Sequence, residues 1–320
     1  MTVTSSSVSQ EAPVPAVPDM RALGREVSNW GRWGSDDERG TTNLITPDRV
    51  VAAAGLIRSG QVFHLGIPLD SDGPQPGGAR INPIRLMSEN GQEQVLPGGF
   101  KWADDYVFMP LQAGSQYDSL AHVHYDDQLY NGHSGSGVTV KGADKCGIHT
   151  QAAGIAGRGV LLDVARVRGV DWLEAGTAIG PDELAAVADA QGVTVGSGDI
   201  LLIRTGWRKK FLADRDAATF MAGEPGLSLS CATWLRERDV AVVGSDNWAV
   251  EVMPGENPGG AFELHMVLIR DMGLTLAEML DFEDLAEACA ADGHYDFFYA
   301  GPPLQFTRGV GSPINPLAIK

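Results

Sequence analysis

Between positions 112 and 124 the chain gathers one carboxylate (Asp118), two imidazoles (His122 and His124) and two carboxamides (Gln112 and Gln116). A carboxylate and an imidazole four residues apart can work as an acid–base pair, one moving a proton and the other orienting it. Glutamine oxygens beside a carboxylate are also donors for a hard cation such as manganese, magnesium or calcium. The stretch therefore admits two chemistries, proton transfer by Asp118 and His122 and metal-assisted activation of water. Farther along, His265 lies in the apolar run 262–268 and Glu278 in the segment 273–279. Read from their neighbours alone, these two have the ordinary places of a core histidine and a helix-surface acid.

The elements that must carry these residues follow from pattern. Residues 106–111 are apolar and read as a strand, with Pro110 placing it at a sheet edge or a strand end because proline donates no ladder hydrogen bond. Gly114 lets the chain turn and approach its neighbours closely. Asp118 and Ser119 are good helix-opening residues, so the spacing predicts a first helical turn with Asp118 and His122 on one side. Upstream, Thr46 and Pro47 open a helix whose apolar face is Val50, Val51, Ala54 and Leu56, running to Gly60. Residues 62–69 form a short strand with His64 as a structural histidine. The Gly/Pro-rich loop 70–80 is longer than an ordinary connection and suits a lid or a subunit contact. Residues 160–164 and 200–203 are short branched-rich runs expected as buried strands. Helices are expected over 181–190 and 228–238, the second with Leu229 and Trp234 inward, before a strand at 240–243. This alternation makes an α/β protein. Polar residues 125–137 suit a substrate-facing loop.

Composition narrows the classes. Among 320 residues, 41 Asp and Glu face 24 Lys and Arg, a formal charge of −17. Neither nucleic acid nor an anionic membrane surface is attracted by such a field. Three cysteines, Cys146, Cys231 and Cys289, are far apart and lack metal-ligand spacing, which fits a free-thiol cytoplasmic protein. The first residues have no basic start or continuous apolar stretch of a secretory signal, and no interior run approaches the roughly 20 apolar residues of a membrane helix. Residues 1–20, rich in Ser, Pro, Val and Ala, are expected as a tail or arm, and 21–320 as a single domain. A glycine fingerprint after a strand, a phosphate-binding loop and a Gly-x-Ser-x-Gly elbow are all absent, which removes the common nucleotide-binding and serine-hydrolase classes.

Residues 112–122 resemble the signature His-x-Gly-Thr-His-x-Asp-x-Pro-x-His of the cyclase family of metal-dependent hydrolases, which includes bacterial kynurenine formamidases and isatin hydrolases. The chain keeps the glycine as Gly114, the hydroxyl as Ser115, the aspartate as Asp118 and the last histidine as His122. Gln112 and Gln116 replace two histidine ligands, and Leu120 replaces the proline. Family-like segments continue at 157–164, 198–207, 243–246 and 311–316.

The resemblance implies a swivelling β/β/α domain, an α/β fold with a central mixed sheet, assembled as a homodimer or homotetramer. It implies a divalent metal (manganese, magnesium or zinc) on Gln112, Gln116, Asp118, His265 and Glu278, with His122 as acid/base. It also implies aromatic walls from Trp30, Trp33, Tyr117 and Trp207, with His124 nearby, around a small-molecule substrate. The reaction implied is hydrolysis of a C–N or C–O bond in a cyclic amide, formamide or lactone on an apolar or aromatic molecule. Two alternatives stay open because of the two glutamines: a metal-free isomerase, dehydratase or cyclase using Asp118 and His122, and a non-catalytic binding protein on the same fold.

Overall fold

Four parallel strands form the middle of the protein: Ala156–Asp163, Ile200–Arg204, Val242–Ser245 and Thr275–Glu278. The structure, a computed structural model, describes residues 17–92, 95–152 and 154–320; the expected tail over 1–20 lies mostly outside the described residues. The middle strands are almost continuously buried, as strands covered on both faces must be. Side chains alternate between two apolar cores. Val160, Leu162, Leu201, Ile203, Val243 and Leu276 point into one, and Leu161, Ile200, Leu202, Val242 and Ala277 into the other.

Crossover helices return the chain between these strands. Pro181–Gln191 starts on proline and ends on left-handed Gly192, the arrangement that proline's missing donor and glycine's free φ favour. Cys231–Glu237 serves the next crossover, with Trp234 and Leu235 buried. Before the last parallel strand, a helical turn over Glu263–His265 runs into a π-helical stretch, Met266–Met272.

Antiparallel strands extend the sheet on both sides to nine. Asp296–Ala300, Leu317–Ile319 and Val62–His64 lie beyond Ala156–Asp163, while Gln116–Asp118 and Gly311–Pro313 lie beyond Thr275–Glu278. The result is the expected mixed α/β sheet. Among the described residues, no helix is long and apolar enough to cross a membrane, and the three cysteines are buried and free.

Several local expectations are corrected. The run at 106–111 is not part of the main sheet: Ala103–Phe108 pairs with Ile84–Asn90 in a separate ribbon, and Tyr106 and Phe108 are exposed. The strand that enters the site is instead Gln116–Asp118, and no helix follows it; Ser119 starts a tight turn in which the His122 amide bonds to the Ser119 carbonyl at 3.0 Å. The helix opened by Pro47 ends at Ala54, with Ala53 buried and Val51 exposed, so its apolar face is phased differently from the pattern. His64 stands outward on its strand.

The packing predicts a large cost for truncating a central residue. Leu202, with no exposed surface, lies in the middle of the sheet, and Leu202→Ala should lower stability by about 2–5 kcal/mol. Urea unfolding followed by circular dichroism measures it; a loss below about 1 kcal/mol would contradict the dense packing described here.

Candidate active site

The site begins with strand parity. In Gln116–Asp118, Gln116 and Asp118 point to one face and Tyr117 to the other. Register then sets Glu278 directly opposite Gln116, and Gly311 opposite Asp118 on the far side. Glu278 is the last residue of its strand, so two carboxylates and a carboxamide meet where the parallel part of the sheet gives way to the antiparallel part. Carboxyl ends of strands at such a change in direction are usual places for ligands.

His265 completes the group from the helical turn. Its Nε2 lies 3.0 Å from Glu278 Oε1, and its Nδ1 lies 2.5 Å from Glu251 Oε1. Glu251 also accepts from the backbone amides of Leu264 and His265 at 3.2 and 3.0 Å. The ring is thus clasped along its long axis, which leaves Nε2 aimed at the carboxylates. Burial disfavours the charged imidazole, but the hydrogen bonds and charges of Glu251 and Glu278 outweigh it and hold the ring well above the ordinary histidine range. Glu278 is pushed up to about 7, first by burial and then by the charge of Asp118. Behind it, Glu224 is fully buried; burial drives its carboxyl far upward, and the amides of Trp248 and Ala249 bond to its oxygens at 2.7 and 2.8 Å.

His122 stands at the rim of the group. Its Nε2 is 3.7 Å from Asp118 Oδ1, too long for a hydrogen bond, and about a fifth of its side chain is exposed. Burial lowers its pKa, partly countered by Asp118, so the ring is neutral at physiological pH with a nitrogen available to accept a proton.

Asp118, His265 and Glu278 each offer one ligand atom, and the three atoms lie within 4.8 Å of one another. Gln116 Nε2 donates to Glu278 at 2.6 Å and to Asp118 at 3.3 Å, whereas its Oε1 is buried without a partner. An orphaned carbonyl oxygen next to two desolvated carboxylates is what a cation would relieve. The donor set, oxygen-rich with one imidazole, fits a divalent ion.

Above the floor is a cavity of about 330 Å³ lined by Asp118, His122, His265 and Glu278, with Val123, Met221, Trp248 and Phe262 as its apolar walls. Gln75, Pro76, Gly77, Ala79 and Arg80 of the glycine-rich loop line one side.

Of the residues expected from sequence, Gln116, Asp118, His122, His265 and Glu278 come together. Gln112 does not join their hydrogen bonds. Its Nε2, buried and unpartnered, fills the space of a side chain at Gly311, where a Cβ would stand 2.5 Å from it. The aromatic walls are different ones. Tyr117 is on the opposite face, its hydroxyl 2.6 Å from that of Tyr299. Trp207 packs among Phe211 and Phe220. Trp30 donates to the Arg270 carbonyl at 2.7 Å, Trp33 lies against Arg32, and His124 packs by Gly135; none of the five lines the cavity. Glu251, Trp248, Phe262 and Met221 had no assigned role in the sequence. An acid inside the apolar run 249–252 next to a tryptophan was the available signal for the first two.

Comparison with known proteins agrees with this fold. Residues 44–252 match the family model described as "Putative cyclase". A crystal structure described as a novel cyclase superposes with a TM-score of 0.85 and 38% identity, covering 92% of this chain and 100% of that one. Isatin hydrolase A from Ralstonia solanacearum gives 0.61 and 21%, covering 85% and 97%. Isatin hydrolase A from Labrenzia aggregata, bound to benzyl benzoate, gives 0.60 and 18%, covering 85% and 97%. At those identities the two hydrolases show a shared fold. No curated protein matches the chain.

The placement of Tyr117 separates structural from substrate roles. Tyr117→Phe leaves the Tyr299 hydroxyl unpaired in the core and should cost about 1–3 kcal/mol. Ligand affinity at the cavity should stay unchanged, as measured by titration calorimetry beside thermal unfolding. Weakened binding at unchanged stability would place Tyr117 in the substrate site after all.

Proposed function

Because the chain belongs to the cyclase family, we propose that it is a hydrolase opening a C–N or C–O bond in a cyclic amide, formamide or lactone borne by an apolar or aromatic small molecule. The observation that carries this reading is the convergence of Asp118, His265 and Glu278 within 4.8 Å beneath an apolar-walled cavity whose rim holds His122. A divalent ion, if held by those three residues, would polarise the scissile carbonyl and lower the pKa of the attacking water. His265 is oriented for that task by Glu251, the arrangement in which a carboxylate fixes the tautomer of a ligating imidazole. His122, neutral and with about a fifth of its side chain exposed, accepts the proton from water and returns it to the departing nitrogen or oxygen. Trp248, Phe262 and Met221 hold the apolar body of the substrate and exclude bulk water from the carboxylates. Gln116 sits between Asp118 and Glu278 and holds their oxygens apart. A small molecule as substrate, no nucleic-acid or membrane partner, a cytoplasmic location, and assembly as a homodimer or homotetramer belong to the same proposal.

One observation favours a second reading. Gln116 Nε2 already donates to both carboxylates, and His265 bonds to Glu278, so both carboxylates have partners without a metal. Asp118 and His122 would then serve isomerisation, dehydration or ring closure by proton transfer alone.

Metal analysis and turnover of the protein purified without chelator separate the two. The hydrolase reading expects bound divalent metal and activity lost on chelation and restored by manganese; chelator-insensitive turnover would overturn it. His122→Ala should lower turnover by about 10²–10⁴-fold with metal content unchanged, and near-native turnover would remove His122 from the proton path. Gln116→His should raise zinc affinity, because neutral imidazole is the better donor for that ion; calorimetric titration of zinc into both proteins measures it, and an unchanged affinity would show that position 116 does not face the ion.

A further inference from the structure

The cavity has one charged group that its floor does not use. Arg80 lines it beside His122 and Trp248, half-buried, and among the described residues its guanidinium donates no hydrogen bond and joins no ion pair. The floor is different: Asp118, Glu278 and His265 are tied to Gln116, Glu251 and one another. A guanidinium partly withdrawn from water without a partner carries an uncompensated desolvation cost, and a carboxylate relieves it with two parallel hydrogen bonds.

The loop that presents Arg80 is built to hold its place. Asn82 accepts from the Gln75 amide at 2.9 Å and donates to the carbonyls of Gly73 and Gln75 at 3.1 and 3.0 Å, closing the base of the loop. Gln75 in turn donates to the Ala113 carbonyl at 3.0 Å, which fastens the loop to the segment leading into Gln116–Asp118. Only the tip is free-standing: Gly77 and Gly78 have φ of 94° and 90° and no neighbour within 4 Å of an added Cβ. Arg80 sits between that tip and the Asn82 clamp, in the same cavity lining as His122 and Glu278.

We propose that Arg80 receives an anionic group of the ligand, so that the molecule bound in this cavity is an aromatic or apolar acid carrying a carboxylate apart from the bond that reacts. The apolar body rests against Trp248, Phe262 and Met221, the reacting carbonyl faces the floor, and the carboxylate pairs with Arg80 at the rim. This rests on the hydrolase reading for the identity of the reacting end, and adds the charge of the substrate class. The acidic character of the protein as a whole, with formal charge −17, makes a local cation at the mouth of the cavity the more necessary for attracting such a ligand.

The test uses two probes that differ by the carboxylate alone, 4-formamidobenzoate and formanilide, with binding followed by calorimetry and by quenching of tryptophan fluorescence. Protein as purified and chelator-treated protein are measured in parallel. The native protein should prefer the carboxylate by about 10- to 100-fold, the range of a hydrogen-bonded charge pair. Arg80→Ala should abolish the preference while leaving formanilide affinity unchanged, and Arg80→Lys should restore part of it. Equal affinities for the two probes, no binding of either, or a preference that survives Arg80→Ala would overturn the inference. Failure of the hydrolase reading shows elsewhere, as absence of amide or lactone turnover, and leaves this ratio of affinities untouched.

Discussion

The cross-strand pairing of Gln116 with Glu278 is the constraint on which the site depends. A three-residue strand, paired antiparallel to Thr275–Glu278, forces Gln116, Asp118 and Glu278 onto one face of the sheet. Two carboxylates placed there are stripped of water, and their mutual repulsion must be answered by a positive partner. Gln116 and His265 supply a partial answer within the chain, and an ion would supply a fuller one. A one-residue slip of that strand would turn Gln116 and Asp118 into the opposite core and bring Tyr117 onto the face of Glu278.

Around this centre the structure is arranged as successive supports. Glu251 holds His265 by ring nitrogen and backbone at once, at the junction where an ordinary helical turn passes into a π-helical stretch; such insertions in helices frequently accompany functional residues. Glu224 holds the Trp248 and Ala249 amides and so fixes the wall that faces the floor. The loop clamped by Asn82 covers the remaining side. Glu251 and Glu224 are buried polar groups with their hydrogen bonds met, the condition under which such groups rigidify a site rather than weaken it.

The sequence made the floor legible and the walls not. Asp118 and His122 stood out by residue type and motif spacing, whereas His265 and Glu278, ordinary by their neighbours, entered only through the resemblance to the cyclase family. The α/β alternation was readable from the branched-rich runs at 160–164 and 200–203 and from Pro181. The turn after Asp118 was misread as a helix because Asp and Ser favour helix openings as readily as tight turns, and the ladder to Glu278, invisible in sequence, claims Gln116–Asp118 for the sheet. Trp30, Trp33, Trp207 and Tyr117 were misplaced because an aromatic side chain serves a core as well as a cavity. Which of the two it serves is decided by tertiary contacts, such as those of Trp207 with Phe211 and Phe220.

The central claim is that these buried carboxylates are arranged around a cation. Crystals grown with manganese and measured at its absorption edge test it directly. A strong anomalous peak is expected within coordination distance of Asp118, Glu278 and His265 Nε2, with Gln116 turned to present its oxygen. No peak at that position, with Gln116 Nε2 still donating to both carboxylates, would contradict it.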